Sequence, residues 1–378
     1  RRNEATASLA DRLDNTLRRN GVELTRGTAV FTSANSIQVH PAEGDSSGGG
    51  ESYEAPYFVI ATGSRPWHPD NLDFSHPLIR DSDTILGLKE IPRSLTIIGA
   101  GVIGCEYASI FSHLGVKLNL VNPRQELLDF LDLEISNALA YLMREQGVRI
   151  RLGETLESAT VENGQVLAHM ASGKIIKSDV LLFANGRTGN TDSMGLETIP
   201  LQINQRRQIE VNEYFQTSQP HIFAVGDVIG PPALASTAME QGRIAALNAF
   251  GNKMITPRLD LLPTGIYTIP EISMVGATEE QLTAERVPYE VGAATYREIA
   301  RGQISGNTTG RLKLLFHRET LALLGVHVIG DQAGDLVHLG QTVMAFGGTL
   351  EYFVNQVLNY PTYSECYRVA ALNGINRL

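Results

Sequence analysis

Three observations predict an α/β fold in several domains, closing in an α+β domain. The chain has 378 residues, more than one ordinary core organises, so two or three domains are expected. Residues 94–106 read S-L-T-I-I-G-A-G-V-I-G-C-E, a strand, a glycine-rich turn and the start of a helix. After Pro263 the texture changes to amphipathic strands followed by helices, with no further glycine-rich loop.

The stretch around Gly99 is the most specific signal. Leu95, Thr96, Ile97 and Ile98 form an apolar, β-rich run, and Gly99, Gly101 and Gly104 give the G-x-G-x-x-G spacing. In such a unit the first glycine permits a tight turn, the second lets the backbone approach a pyrophosphate, and the third lets helix and strand pack closely. The amides and dipole of the helix N-terminus then receive the phosphates. Val102 and Ile103 fill the turn, and the next strand, 117–121, ends at Asn122, where a ribose-selecting residue belongs. The whole unit therefore reads as a dinucleotide site.

Composition narrows the partners. With 31 basic and 41 acidic residues the formal charge is −10, which argues against nucleic acid. No apolar run approaches the roughly 20 residues that span a bilayer. The two cysteines, Cys105 and Cys366, form no C-x-x-C, so neither a disulfide framework nor a zinc cluster is indicated, and a reducing cytoplasm fits. The nine histidines show no ligand spacing, so no metal is expected.

Taken in order, residues 4–19 read as a charged amphipathic helix already under way, without initiator Met or signal-peptide core. Short strands follow at V-E-L-T, G-T-A-V-F and S-I-Q-V within 22–39, and 41–51 read as a polar hairpin loop. Residues 57–66, Y-F-V-I-A-T-G-S-R-P, read as a buried strand entering Ala61-Thr62-Gly63. Beyond the glycine loop come a helix at 132–146, a strand at 148–152 and hairpin alternation over 155–177, with Asn163-Gly164 and Ser172-Gly173 as turns. A strand at 179–183 then delivers Ala184-Asn185-Gly186-Arg187. Residues 221–228, H-I-F-A-V-G-D-V, repeat the strand-then-Gly-Asp pattern, and after Pro231-Pro232 a helix begins near Ala235. The last part predicts strands at 265–269, 287–295, 311–317 and 321–329, and helices at 334–346, 351–356 and 364–376.

Ala61-Thr62-Gly63, Gly99 to Glu106 and Gly226-Asp227 together resemble, in order, the motifs of the flavoprotein pyridine nucleotide–disulfide oxidoreductase family (class I). Residues 263–378 are similar to its interface domain, so the resemblance covers the whole chain. It implies two Rossmann-like domains, binding FAD and NAD(P), plus a C-terminal α+β dimerisation domain. The implied boundaries are 1–93 for an FAD-binding domain incomplete at its N-terminus, 94–214 for the NAD(P)-binding domain, 215–262 for the second FAD segment and 263–378 for dimerisation. That family's first G-x-G-x-x-G is not in this sequence. The implied cofactors are FAD, NAD and NADP, and the implied activity is hydride transfer from NADPH to NAD⁺ through FAD by a ping-pong route. The implied assembly is a homodimer or larger homo-oligomer. A lipoamide-dehydrogenase-like disulfide reductase, an NADH diaphorase and a non-catalytic nucleotide-binding subunit remain open alternatives.

The resemblance also implies roles. Gly226 and Asp227 would hold the ribityl and pyrophosphate region of FAD, and the helix entered through Leu234 and Ala235 would aim its amides at the flavin. Gly27 and Ala29 would touch the FAD adenine; Ala61, Thr62, Gly63 and Gly186 join the cofactor-binding set. Glu106 is the candidate catalytic residue, a carboxylate near the nicotinamide.

Two departures discriminate between members. Disulfide reductases carry H-P-x-x-x-E near the C-terminus, where this chain has Tyr360-Pro361-Thr362-Tyr363-Ser364-Glu365. Tyrosine in general is a poor base at neutral pH, which leaves hydride exchange without thiol chemistry. At Asn122, NAD-specific units place a carboxylate and NADP-specific units a cation. A neutral amide there removes repulsion of a 2′-phosphate, and Arg124 stands two residues on, so one site would accept both dinucleotides. For assembly, Tyr352, Phe353, Val357, Leu358, Tyr360 and Tyr363 read as an aromatic-rich interface core.

Overall fold

The computed structural model describes residues 2–41, 50–251 and 261–378; the polar loop expected at 41–51 lies, over 42–49, outside them. The chain forms two units, Arg1–Arg65 with Thr188–Thr256 and Pro66–Arg187 with Pro257–Leu378. The expected boundaries at 93/94 and 214/215 fall within these units, for a reason visible in the packing. Strand Ile79–Asp81 pairs in parallel with Val180–Phe183, so the segment before Ser94 is part of the glycine-loop sheet. Leu196, Ile199 and Ile209 share a core with Phe31, Ile60 and Ile222, which draws the segment after residue 188 into the other unit.

The second unit is built on a five-stranded parallel sheet. Its strands run Ile79–Asp81, Val180–Phe183, Ser94–Ile98, Lys117–Asn122 and Arg149–Leu152 in spatial order. Central strands of such a sheet are covered on both faces and read as continuous apolar runs, and Val180–Phe183 is buried throughout. Alternation divides the covers. Leu95 and Ile97 pack with Cys105 and Ala108 of helix Val102–His113 and with Ile135 and Leu139 of helix Leu133–Glu145. Ile98 and Val121 pack instead with Val166, Ala168 and Ile176 of an antiparallel meander, Leu156–Glu162, Gln165–Met170 and Ile175–Ser178.

A five-stranded antiparallel sheet follows, ordered Thr264–Ile266, Ile272–Gly276, Leu323–Ile329, Arg311–His317 and Tyr289–Thr295. Helices Ala333–Ala345, Glu351–Asn355 and Glu365–Ile375 supply Val337, Phe353 and Tyr367 to its core. Ile266, Ile272 and Ile329 also enter the core of the parallel sheet. A buried ion cluster reinforces that junction. Lys313 Nζ, 0% exposed, donates to Asp132 Oδ1 at 2.8 Å and lies 3.1 Å from Glu134 Oε2, and it also bonds Glu279. Asp132 is the N-cap of Leu133–Glu145, its side chain accepting from Glu134 N. The sequence reading missed strand Ile272–Gly276 and helices Glu279–Ala284 and Ala300–Ser305; each is five or six residues, too short for periodicity to register.

In the first unit, helix Arg2–Arg19 carries an i, i+4 pair between Arg18 and Asp14. Strands Thr28–Ser33, Ser36–His40 and Glu51–Glu54 form an antiparallel sheet. V-E-L-T, expected as a strand, is not one, and its Val22 and Leu24 are exposed. The expected buried strand at 57–66 reduces to Phe58–Ile60, paired in parallel with Ile222–Ala224, and a separate Ser64–Pro66. Tyr57 and Val59 are 41% and 45% exposed, against 4% for Ile60. Helix Ala235–Ala249 starts where the sequence placed it.

Candidate functional site

The turn after Ser94–Ile98 is shaped by its glycines. Gly99 has φ +103°, and a Cβ there would lie 2.7 Å from the Ala184 carbonyl oxygen. A Cβ on Gly104 would lie 1.8 Å from the Gly99 carbonyl oxygen, so the helix meets the turn at a distance only glycine allows. A Cβ on Gly101 would meet nothing within 4 Å; the space above it is open to an incoming group. Gly101 caps the helix without any side-chain hydrogen bond, so the amides that begin with Val102 and Ile103 are left for an anion.

Beside this loop, at the C-terminal ends of the strands, lies a cavity of about 190 Å³. Its walls include Trp67, Ile98, Pro123, Leu156, Phe183 and Asn185. Trp67 and Phe74 both lean on Phe183, at centroid distances of 5.8 and 6.0 Å. The apolar, aromatic walls suit one planar ring system. Sequence reasoning missed Trp67 and Phe183; the only signal was an aromatic residue directly after the A-T-G-S-R-P run.

Asn122 stands at the end of Lys117–Asn122, as its spacing required, but its side chain is turned inward. It is 7% exposed; Nδ2 donates to the Glu126 carbonyl at 2.7 Å, and Oδ1 accepts from Ala100 N at 3.4 Å. The amide expected to meet a ribose hydroxyl is thus engaged in holding the glycine loop against the following turn. Arg124 is 66% exposed at its side chain and paired with Asp129.

Glu106, on the first turns of the helix, accepts at Oε1 from Tyr267 N at 2.8 Å. One turn on, Ser109 Oγ accepts from Ile269 N at 2.6 Å. The two residues therefore fasten the nucleotide-loop helix to the start of the C-terminal sheet. Burial raises the pKa of Glu106 above the usual carboxylate range, against the backbone hydrogen bond from Tyr267. Gly186 lies in the turn after Val180–Phe183, its carbonyl accepting from Trp67 N at 3.1 Å.

The first unit brings a second set together. The parallel pair ends in Ala61-Thr62-Gly63 on one strand and Gly226-Asp227 on the other, with Val225 N donating to the Ile60 carbonyl at 3.0 Å. Asp227 Oδ2 accepts from Ser64 Oγ at 2.9 Å, and Thr62 Oγ1 donates to the Asn190 carbonyl at 2.7 Å. Gln241, on the helix opened by Leu234 and Ala235, accepts from Gly226 N at 2.7 Å. The helix N-terminus has no side-chain cap. Uncapped amides beside a glycine–aspartate turn fit the phosphate and polyol part of a flavin dinucleotide. Ser64, Asn190 and Gln241 were not singled out from sequence, since a hydrogen bond to a turn leaves no local pattern. Gly27 and Ala29 lie at the exposed start of the three-stranded antiparallel sheet.

In the C-terminal domain the expected interface run divides. Phe353 and Tyr363 are 0% and 4% exposed and belong to the domain's own core, whereas Val357 and Tyr360 are 91% and 75% exposed, with Phe346 at 86%. Cys366 and Cys105 are buried free thiols; burial pushes Cys366 up to about 12 and Cys105 higher still. No helix among the described residues is long and apolar enough to cross a membrane.

Residues 2–242 match the family described as pyridine nucleotide-disulphide oxidoreductase, and residues 262–371 match its dimerisation domain. The soluble pyridine nucleotide transhydrogenase of Marinomonas sp. (strain MWYL1) is 55% identical over 366 residues, 95% of this chain and 77% of that protein. The protein of the same name from Vibrio atlanticus (strain LGP32) is 52% identical over 363 residues, with the same coverage. Among solved structures, the HOCl-induced flavoprotein disulfide reductase RclA from Escherichia coli superposes with TM-score 0.88 at 25% identity, over 98% of this chain and 84% of that one. LpdA from Mycobacterium tuberculosis gives 0.89 at 25% identity, over 98% and 81%.

Proposed function

Since the chain belongs to the pyridine nucleotide-disulphide oxidoreductase family, we propose that it is a flavin-dependent NAD(P)⁺ transhydrogenase, passing hydride from NADPH to NAD⁺. When bound, the flavin supplies a two-electron carrier between the two nicotinamides. The chain's own residues supply binding, orientation and charge. The open backbone at Gly101, between the turn at Gly99 and the close contact at Gly104, receives the pyrophosphate. Trp67, Pro123 and Phe183 bound a slot for the base, and Glu106 sits where helix and C-terminal sheet meet, near the nicotinamide end. On the other unit, Ala61, Thr62, Gly63, Gly226, Asp227, Leu234 and Ala235 form the flavin-facing set, with Gly27 and Ala29 toward its adenine.

The observation that carries the reading is the residue ending the second strand of the glycine-loop unit. It is neutral, buried Asn122, and cationic Arg124 is exposed on the following turn. A carboxylate about 5 Å from a 2′-phosphate would cost roughly 3 kcal/mol at an effective dielectric near 20, over 100-fold in affinity. Asn122 removes that repulsion at the strand end, which favours entry of NADP(H), and a neutral residue there does not exclude NAD(H). The Arg124–Asp129 pair is exposed, and such pairs contribute only about 0–1 kcal/mol, so Arg124 exchanges Asp129 for a phosphate at small cost.

Arg124→Ala is expected to weaken NADPH by about tenfold, the scale of one charge-assisted phosphate contact, and to leave NADH nearly unchanged in equilibrium titrations. Asn122→Glu should weaken NADPH further and spare NADH. Because the Asn122 amide also supports the loop, equal loss of both cofactors in Asn122→Glu, with no discrimination in Arg124→Ala, would remove the dual-cofactor reading.

Glu106 gives a second test, in pH. Its carboxyl takes up a proton above the range of an ordinary glutamate because burial disfavours its charge. Glu106→Gln should flatten the acidic limb of the kcat/KM profile for NADPH; an unaltered limb would confine Glu106 to fastening the helix to Tyr267.

The likeness to a disulfide reductase raises a second reading; Tyr360, at the sequence position where such reductases carry a histidine, argues against it. We place the protein in the cytoplasm as a homodimer or larger homo-oligomer; buried free thiols and the matched dimerisation domain support this.

A further inference from the structure

At the opposite end of the parallel sheet from the glycine loop lies a cavity of about 280 Å³ whose lining includes Ser94, Lys117, Asn119, Arg149 and Lys177. The strand register explains why these residues meet. Ser94 pairs with Lys117 and Asn119 with Arg149, and paired residues, like residues two apart on a strand, share a face. That face is the one covered by the meander, which contributes Lys177 from Ile175–Ser178. Three cations from three strands thus border one cavity at the N-terminal ends of the sheet. The glycine loop leaves the far end of the five-residue strand Ser94–Ile98, roughly 15 Å away at about 3.3 Å per residue.

These cations lack what many others of the chain have. Arg65, Arg124, Lys174, Arg187, Arg207, Arg243, Arg311 and Lys313 each have a carboxylate within ion-pair distance. Among the described residues no ion pair involves Lys117, Arg149 or Lys177, in a chain whose net charge is −10. The nearby Asp179 is already engaged: its Oδ2 accepts from Arg93 N and Ser94 N, both at 3.0 Å, and its Oδ1 from Gln165 Nε2 at 3.2 Å. A neutral donor completes the lining. Ser94 Oγ accepts from Asp179 N and gives its own proton to the Asp179 carboxylate, whereas Asn119 Oδ1 accepts from Arg151 Nε at 3.4 Å, which orients its amide hydrogens. A guanidinium fork, two ammonium groups and an amide around one concavity make a donor set for a tetrahedral dianion.

We propose that this cavity binds a phosphate group, free or as a small phosphomonoester, at a site separate from the dinucleotide loop. Its occupant joins strands of the parallel sheet to the meander and relieves the repulsion among three like charges, so binding stabilises the folded chain by mass action.

The test uses the purified, flavin-loaded protein at constant ionic strength, chloride being replaced stepwise by inorganic phosphate in one series and by glycerol 2-phosphate in another. Thermal unfolding and NADH affinity are both read. The expected result is a saturable rise in Tm with at least one of the two, the series showing which source the site takes. In Lys117→Gln/Lys177→Gln, and separately in Arg149→Gln, half-saturation should move to about tenfold higher concentration, the scale of one or two lost charge-assisted contacts, with NADH affinity unchanged. All three side chains are exposed, so these variants keep their cores. A rise of the same size and midpoint in the variants would assign the effect to the glycine loop and overturn the proposal. A linear, non-saturating rise, or none, would overturn it equally, since that is the behaviour of bulk salt.

Discussion

Gly104→Ala is expected to weaken NADH and NADPH together by about 100-fold, the scale of an ångström-sized misplacement of a positioning element. The added Cβ would stand 1.8 Å from the Gly99 carbonyl oxygen and 2.9 Å from its carbon, well inside contact distance and against backbone that has no rotamer to change. The helix must move off the strand, and the amides at its start move with it. Overpacking of this kind costs about 1–3 kcal/mol of stability, so the variant should fold while the loop loses its shape. Gly101→Ala separates the causes. Its Cβ meets nothing within 4 Å, and φ there is −76°, so the unliganded fold should be unchanged in Tm, and the whole loss should appear in binding. Tight NADH binding in Gly101→Ala, measured by fluorescence titration, would mean that the pyrophosphate does not lie over this backbone.

Lys313→Met is expected to destabilise the chain by about 3–5 kcal/mol, the range for removing one partner of a buried ion pair. Asp132 is 0% exposed and would remain as a buried carboxylate without its cation. Glu134 and Glu279, at 37% and 32% exposure, reach solvent and lose less. Adding Asp132→Asn to Lys313→Met should recover much of the loss, because the uncompensated charge is then gone; urea unfolding of the two variants measures both. No recovery would mean that packing around Met, not charge, sets the cost.

The same cluster sets a pH window. Burial opposes ionisation of Asp132, but the hydrogen bond and charge of Lys313 outweigh it and hold the carboxyl below its ordinary range. For Lys313, burial works against the ammonium, and its bonds to Asp132 and Glu279 outweigh it, so the pKa is raised. A depressed acid contributes stability that is complete above its unfolded pKa, about 3.9, and a raised base one that is complete below about 10.4. The native protein should therefore hold the cluster's contribution between those limits. It should lose that contribution as pH falls through the folded value of Asp132 or rises through that of Lys313.

The glycine spacing, the strand and helix periods around it and the A-T-G and Gly-Asp turns were readable from the chain alone. Each is written within about 15 consecutive residues, where side-chain period and backbone permission act locally. Helix Val102–His113, helix Ala235–Ala249 and strand Arg311–His317 stand at or within a few residues of where that local pattern put them. Tertiary structure alone decided what those elements touch. Only the fold carries the strand before Ser94 to the edge of the parallel sheet, turns Asn122 inward, buries Phe353 and Tyr363 while leaving Tyr360 exposed, and sets Lys313 against Asp132, 181 positions away. These are long-range contacts fixed when layers pack, and the energy of a buried charge or amide depends on the partner that packing brings to it.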